Sequence, residues 1–290
     1  IGLNLKKKLP DLKWIADFRD PWTEISYYKH LKLTKIADKK HRKLESEVFK
    51  NADITLATSY TDAENFRKKG ANAFCITNGF DVDASTTLSM TEENSKTLPL
   101  SNSTTKFTLS YIGVLEQLRN PEILWETLND LVQENADFKN DFELKFVGRL
   151  DDKILQKIES SALKSNLTNL GYQTHDVALK HMQDSTVLLM TNFPQESSKG
   201  IIPGKIFEYL ATGKTILSFG PKDADVEKIL NETKAGKHFG YDEKENLKNF
   251  ILESYQNWKS GTLNQNAENI EQFSRKNLTQ KLVDLMNKWF

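Results

Sequence analysis

Three things are nearly missing from this sequence: cysteine, net charge and long apolar runs. Its 290 residues contain one cysteine, Cys75, which cannot form an internal disulfide. A disulfide-stapled scaffold is therefore excluded, and a reducing cytoplasm is the simplest compartment. The 40 Lys and Arg balance the 40 Asp and Glu, so the formal net charge is zero. That balance gives no global reason to expect a nucleic-acid partner. The longest apolar runs, such as Val187 to Met190, fall far short of the roughly 20 residues that a membrane-spanning helix requires. The five histidines, His30, His41, His175, His181 and His238, show no metal-ligand spacing, and one cysteine cannot complete a zinc site. Neither a Gly-x-Ser-x-Gly elbow nor a Walker-type loop is present.

What remains is an ordinary globular composition, 38% hydrophobic and 28% charged, in a chain long enough for two domains at about 150 residues each. The chain begins at Ile1 rather than a start methionine, and Ile1 to Asn4 resembles neither a tag nor a signal peptide. A fragment cut from something longer is expected.

Short β-rich runs alternate with helical stretches, which argues for βαβ units and parallel sheets. Strands are expected at Phe107 to Ile112, Phe142 to Val147, Thr186 to Met190 and Thr215 to Phe219, with helices around 121–135, 154–163 and 205–212. Upstream, strands are expected at Trp14 to Phe18, Asp53 to Thr58 and Ala73 to Thr77, with a charged helix through Lys35 to Lys50. Residues 85–105 are rich in Ser, Thr, Asn and Glu and read as a linker. The tail, residues 264–290, carries apolar residues at helical spacing and reads as an amphipathic terminal helix.

The most informative stretch runs from Gly200 to Leu217 as loop, helix, glycine stop and strand. A glycine-flanked loop leading into a helix presents free N–H groups and a positive dipole end to an anion. Glu208, one turn inside, can accept hydrogen bonds from a vicinal diol such as a ribose; on residue type alone a solvated helix glutamate is the stronger reading.

Here the sequence resembles the C-terminal half of retaining glycosyltransferases of the two-Rossmann-domain (GT-B) type, family 4-like. Their signature is a Glu, seven residues, and a second Glu opening a helix that ends in Ala-x-Gly. Glu208 to Leu217 matches the second half. Gly200 stands eight residues before Glu208, where the family has its first Glu. The resemblance implies an α/β fold of two Rossmann-like doubly wound domains, the N-terminal one incomplete. Residues 1–84 would be the rest of the acceptor-side domain, 85–106 a linker, 107–263 the donor domain, and 264–290 a terminal helix crossing back.

The resemblance also implies roles. Glu208 would bind the nucleotide ribose, and Gly113 would let the diphosphate approach the end of the first donor-domain strand. Val114 offers no charge after that glycine, so Arg119 and Lys205 would neutralise the diphosphate, with Arg149 a weaker candidate; Lys205 reads equally as a surface lysine. Backbone amides around Tyr172 and Gln173 would receive the base, although Tyr172 reads equally as a partly buried strand-end aromatic. Gly200, Ile201 and Gly204 complete the donor loop. Arg19 and Asp20 would border the cleft, and a structural Arg–Asp pair is the stronger reading. Asn78 and Gly79 read as turn residues.

Asp81 with Asp83 and Asp223 with Asp225 match the Asp-x-Asp pattern by which GT-A enzymes hold a metal. Such spacings arise by chance in a chain with 40 acids, and a metal-independent reaction without a cofactor is expected. The activity implied is transfer of a sugar from a nucleoside diphosphate sugar to a glycan or lipid-linked acceptor in cell-surface polysaccharide synthesis. The alternatives are a nucleotide-sugar-binding remnant without turnover and a GT-B-fold epimerase. Lys29 to Lys50 carries eight Lys and Arg against three acids. That stretch reads either as a solvated helix or as a peripheral contact with the anionic inner face of a membrane.

Overall fold

The computed structural model describes residues 1–25, 28–81, 106–263 and 267–290, and no side chain for Lys29. The linker expected over 85–105 and Asp83 lie outside the described residues. The chain divides into two units: 1–79 with 200–202 and 271–290, and 80–199 with 203–270.

The first unit is built on a parallel sheet of β1 (Ile15–Phe18), β2 (Ile54–Ala57) and β3 (Ala73–Cys75), in that order. Its central strand is buried at every residue, as a parallel strand covered on both faces must be. The helix Lys35–Asn51 connects β1 to β2 and begins where the Thr34 side chain accepts from Ala37 N–H. A second helix, Tyr60–Lys68, is capped by Ser59 in the same way. Phe18, Phe49 and Phe66 meet with ring centroids 5.0–5.3 Å apart, and this aromatic group anchors the small core.

The terminal helix belongs to this unit but starts later than expected, at Arg275, after a single 3₁₀ turn over Ile270–Phe273. Asn269 is left-handed, with φ +54°, and the Ser274 side chain caps Asn277 N–H, so the helical register is set only from there. Gly79 is explained by packing rather than by a turn. A Cβ at Gly79 would lie 2.3 Å from the Phe273 carbonyl oxygen, so only glycine permits that approach.

The second unit has six parallel strands: β4 (Phe107–Ile112), β5 (Phe142–Val147), β6 (Leu167–Asn169), β7 (Val187–Thr191), β8 (Thr215–Phe219) and β9 (Gly236–Phe239). Their order is β6-β5-β4-β7-β8-β9. All residues of β4 and β7 are buried, as central parallel strands covered on both faces are, and in β4 this includes the polar Thr108 and Ser110. The helix expected at 154–163 runs from Asp152 to Glu159, because the Asp151 side chain caps Lys153 N–H and sets the start. Unexpected were the helices Gly2–Lys8 and Tyr60–Lys68 in the first unit, and the helices Ala136–Asp141, His175–Gln183, Asp225–Thr233 and Lys244–Lys259 with strands β6 and β9 in the second. In Lys244–Lys259, Leu247, Ile251 and Tyr255 recur every four residues and are buried, and Phe138 and Phe142 stack nearby at 4.9 Å.

Candidate functional site

Strand order reverses between β4 and β7, and in parallel sheets the crevice outside the carboxyl ends at such a point is where ligands bind. β4 pairs with β7 only from Leu109 to Tyr111. Beyond that, the next N–H of β4 needs another partner. Tyr209 supplies it: Ile112 N–H donates to the Tyr209 hydroxyl at 3.4 Å, and that hydroxyl donates to the Leu189 carbonyl at 3.4 Å. Burial pushes the Tyr209 phenol far above its ordinary pKa, so it remains a neutral donor.

Tyr209 lies on the helix Lys205–Ala211, so this tether fixes the residues expected to bind the donor. Lys205 Nζ donates to the Ile112 carbonyl at 3.2 Å and to the Tyr111 hydroxyl at 3.3 Å, and sits 4.4 Å from the Tyr111 ring centroid. It is thus half-buried against the sheet and not a freely solvated surface lysine. Glu208, three residues on, is also half-buried, and its carboxylate makes no hydrogen bond or ion pair among the described residues. Gly204 precedes them with an ordinary φ of −54°, and a Cβ there would meet nothing within 4 Å.

A glycine rim continues along the sheet edge. Gly113, Gly148 and Gly171 follow β4, β5 and β6 with φ of +121°, +122° and +62°. Gly113 N–H donates to the Val147 carbonyl and Gly148 N–H to the Gly171 carbonyl, both at 2.7 Å. A Cβ at Gly113 would lie 3.4 Å from Lys205 Nζ, which places that ammonium at the rim. Tyr172 is 87% exposed, which rules out the partly buried role considered for it. Gln173 Nε2 donates to the Leu170 carbonyl at 2.8 Å. Arg149 is exposed, with no side-chain hydrogen bond or ion pair among the described residues.

Arg119 is held in place. Its Nη2 donates to the Val114 carbonyl at 3.1 Å and pairs with Glu116 at 3.3 Å. The guanidinium carbon lies 5.4 Å from the Phe193 ring centroid. Next to it, Asn120 is buried and accepts from Trp125 Nε1 at 2.7 Å, which fixes the end of the loop.

Gly200 and Ile201 belong to the first unit, where a Cβ at Gly200 would approach Ser59 Oγ at 3.2 Å. Arg19 does not pair with Asp20; its Nη2 donates to Asn78 Oδ1 at 2.8 Å. The Thr58 hydroxyl donates to the Arg19 carbonyl at 2.7 Å and holds the backbone there, while the side chain takes Asn78, beyond the end of β3, as its partner. Asp223 and Asp225 do not share a site, because Asp225 is fully buried and paired with Lys228 at 3.0 Å while the Asp223 side chain is 87% exposed. Among the described residues, no three His, Cys, Asp or Glu side chains gather as metal ligands would. Sequence reasoning missed Phe193 and Tyr241 altogether; no motif marks either, and they meet Arg119 only through the fold.

No protein-family model and no curated protein matches the sequence. Solved structures do. HepE from Anabaena, in complex with UDP-glucose, superposes with a TM-score of 0.63 at 16% identity over 99% of this chain. Sucrose-phosphate synthase from Thermosynechococcus elongatus gives 0.60 at 15% identity over 99%. A TarM variant from S. aureus, in complex with fondaparinux, α-GlcNAc-glycerol and UDP, gives 0.58 at 16% identity over 86%. The fold is GT-B. The GT-B likeness extends over 46% of the TarM chain, 75% of HepE and 70% of the sucrose-phosphate synthase, so this chain spans about half to three quarters of the length of these three proteins. Among the described residues, no helix of this GT-B chain is long and apolar enough to cross a membrane.

Proposed function

We propose that the chain is the donor-binding part of a glycosyltransferase that takes a UDP-sugar and transfers the sugar to a hydroxyl of a glycan or lipid-linked acceptor. The observation that carries this reading is Glu208, a half-buried carboxylate with no hydrogen-bond or ion-pair partner among the described residues, fixed beside the switch point by Tyr209. A carboxylate in that position accepts hydrogen bonds from ribose hydroxyls. The complexes of HepE with UDP-glucose and of TarM with UDP support UDP as the nucleotide.

In the reaction, the acceptor oxygen bonds the anomeric carbon while the bond from that carbon to the diphosphate oxygen breaks. The diphosphate leaves with the electron pair, and the acceptor hydroxyl gives up its proton. Negative charge therefore grows on the leaving group, where Lys205 and Arg119 stabilise it. The bare backbone at Gly113 lets a diphosphate approach closely, Gly204 opens the helix that carries Lys205 and Glu208, and Tyr172 and Gln173 face the base. With two cations given this task, the reading needs no divalent metal and no cofactor. Retention of configuration enters from the family resemblance.

The acceptor belongs, in this proposal, to cell-surface polysaccharide synthesis at the anionic inner face of a membrane. Ile36 is 83% and Leu31 51% exposed, beside the exposed Lys32, Lys35, Lys39 and Lys40. Each basic side chain near an anionic surface contributes about 1 kcal/mol.

Release of UDP from UDP-hexoses, followed with glycan and lipid-linked acceptors present, tests the reading. Acceptor-dependent release that falls at least tenfold in Lys205→Met supports transfer. Tight UDP binding with no release under any acceptor would instead show binding without turnover.

A further inference from the structure

Among the described residues, only Nη2 of the Arg119 guanidinium is hydrogen-bonded. Its Nη2 is shared between a carbonyl and the carboxylate of Glu116, whose side chain is 58% exposed. Its Nε is buried with no hydrogen-bond partner, and Nη1 makes no hydrogen bond among the described residues. Below the guanidinium lies the Phe193 ring. Behind it, the Tyr241 hydroxyl donates to the Asn192 carbonyl and lies 3.4 Å from the Arg119 carbonyl, so one side chain joins the loops that follow β4, β7 and β9. Tyr241 packs 5.7 Å from the Phe219 ring, and burial pushes its phenol well above the ordinary range while Arg119 pulls it back.

A loop arginine that served only stability would have its donors satisfied, because unpaired donors cost free energy. This one instead keeps donors free, and its one charged partner sits where solvent reaches it. A guanidinium positioned over an aromatic ring with N–H groups to spare is pre-set for bidentate contact with phosphate oxygens.

We infer that Glu116 is a resident counter-ion that a nucleoside diphosphate displaces from Arg119, with Phe193 and Tyr241 as the positioning residues that hold the guanidinium ready. The inference rests on the nucleotide-site reading above and adds three residues to it.

The test is a set of double-mutant cycles on the full chain, with UDP and uridine as probes. Glu116→Gln should tighten UDP about two- to fivefold by removing the competing carboxylate. Phe193→Leu should weaken UDP about two- to fivefold and Tyr241→Phe about two- to tenfold. All three effects should vanish in an Arg119→Gln background and be absent with uridine, which carries no phosphate. If Glu116→Gln tightens UDP equally in both backgrounds, it acts through its long-range field and the exchange is overturned. If Arg119→Gln leaves UDP affinity unchanged while Glu208→Ala weakens it, the inference fails and the nucleotide site stands. If wild-type protein binds no UDP, both fail together.

Discussion

Replacing Gly148 by alanine should damage the donor unit far more than the same change at Gly171, although both glycines stand on one rim. At Gly148, a Cβ would lie 2.2 Å from the Gly113 carbonyl oxygen and 2.8 Å from its carbon, so backbone must move. The φ of +122° adds strain that L-residues bear at a cost of about 1–3 kcal/mol. Moving the rim also weakens the Gly113–Val147 and Gly148–Gly171 backbone bonds, at about 1 kcal/mol each. The expected loss is about 3–5 kcal/mol, a large part of the 5–15 kcal/mol by which domains are typically stable. At Gly171 nothing lies within 4 Å of a Cβ, so Gly171→Ala should cost only the left-handed penalty, about 1–2 kcal/mol. Urea denaturation followed by tryptophan fluorescence, with the buried Trp125 reporting on this unit, measures both. Equal costs at the two positions would refute the argument that Gly148 is required by close backbone approach.

Other consequences follow from the same geometry. Tyr209→Phe leaves Ile112 N–H and the Leu189 carbonyl without their shared partner and should cost about 1–3 kcal/mol in the same denaturation assay; no measurable cost would show the bridge to be unimportant. His238 is buried between Ser218 Oγ and the Pro221 carbonyl, and burial lowers its pKa below the unfolded value of about 6.5. The unfolded chain therefore binds the extra proton first, and the His238 contribution, complete above pH about 6.5, is lost as pH falls through the lower folded pKa. The stability gap between wild type and His238→Asn should narrow on acidification, and a constant gap from pH 8 to 5 would contradict it. Replacing Lys35, Lys39 and Lys40 by Glu should abolish flotation with vesicles containing a third phosphatidylserine, whereas wild-type protein that ignores such vesicles at low salt ends the membrane proposal.

The strands were legible because short segments rich in aromatic and branched apolar residues alternate with helical stretches: Phe107–Ile112, Phe142–Val147 and Thr215–Phe219 lie where those segments predict. The short helices Tyr60–Lys68 and His175–Gln183 bury only Ala63 with Phe66 and Met182 respectively, too few apolar positions to give a helical period. Glu208 and Lys205 were legible because loop, helix and strand are consecutive in the chain. Phe193 and Tyr241 were not, since Tyr241 stands 122 residues from Arg119 and meets it only because β4, β7 and β9 end on one edge. Arg19 misled because its neighbour in sequence, Asp20, is not its neighbour in space.

Calorimetric titration of the full chain with UDP, wild type against Glu208→Ala, tests the central claim most directly. The account predicts saturable binding at one site, preferred over GDP and CDP, and weakened at least tenfold by the substitution with the fold intact. UDP binding of equal strength in both proteins would remove Glu208 from the site and contradict the account.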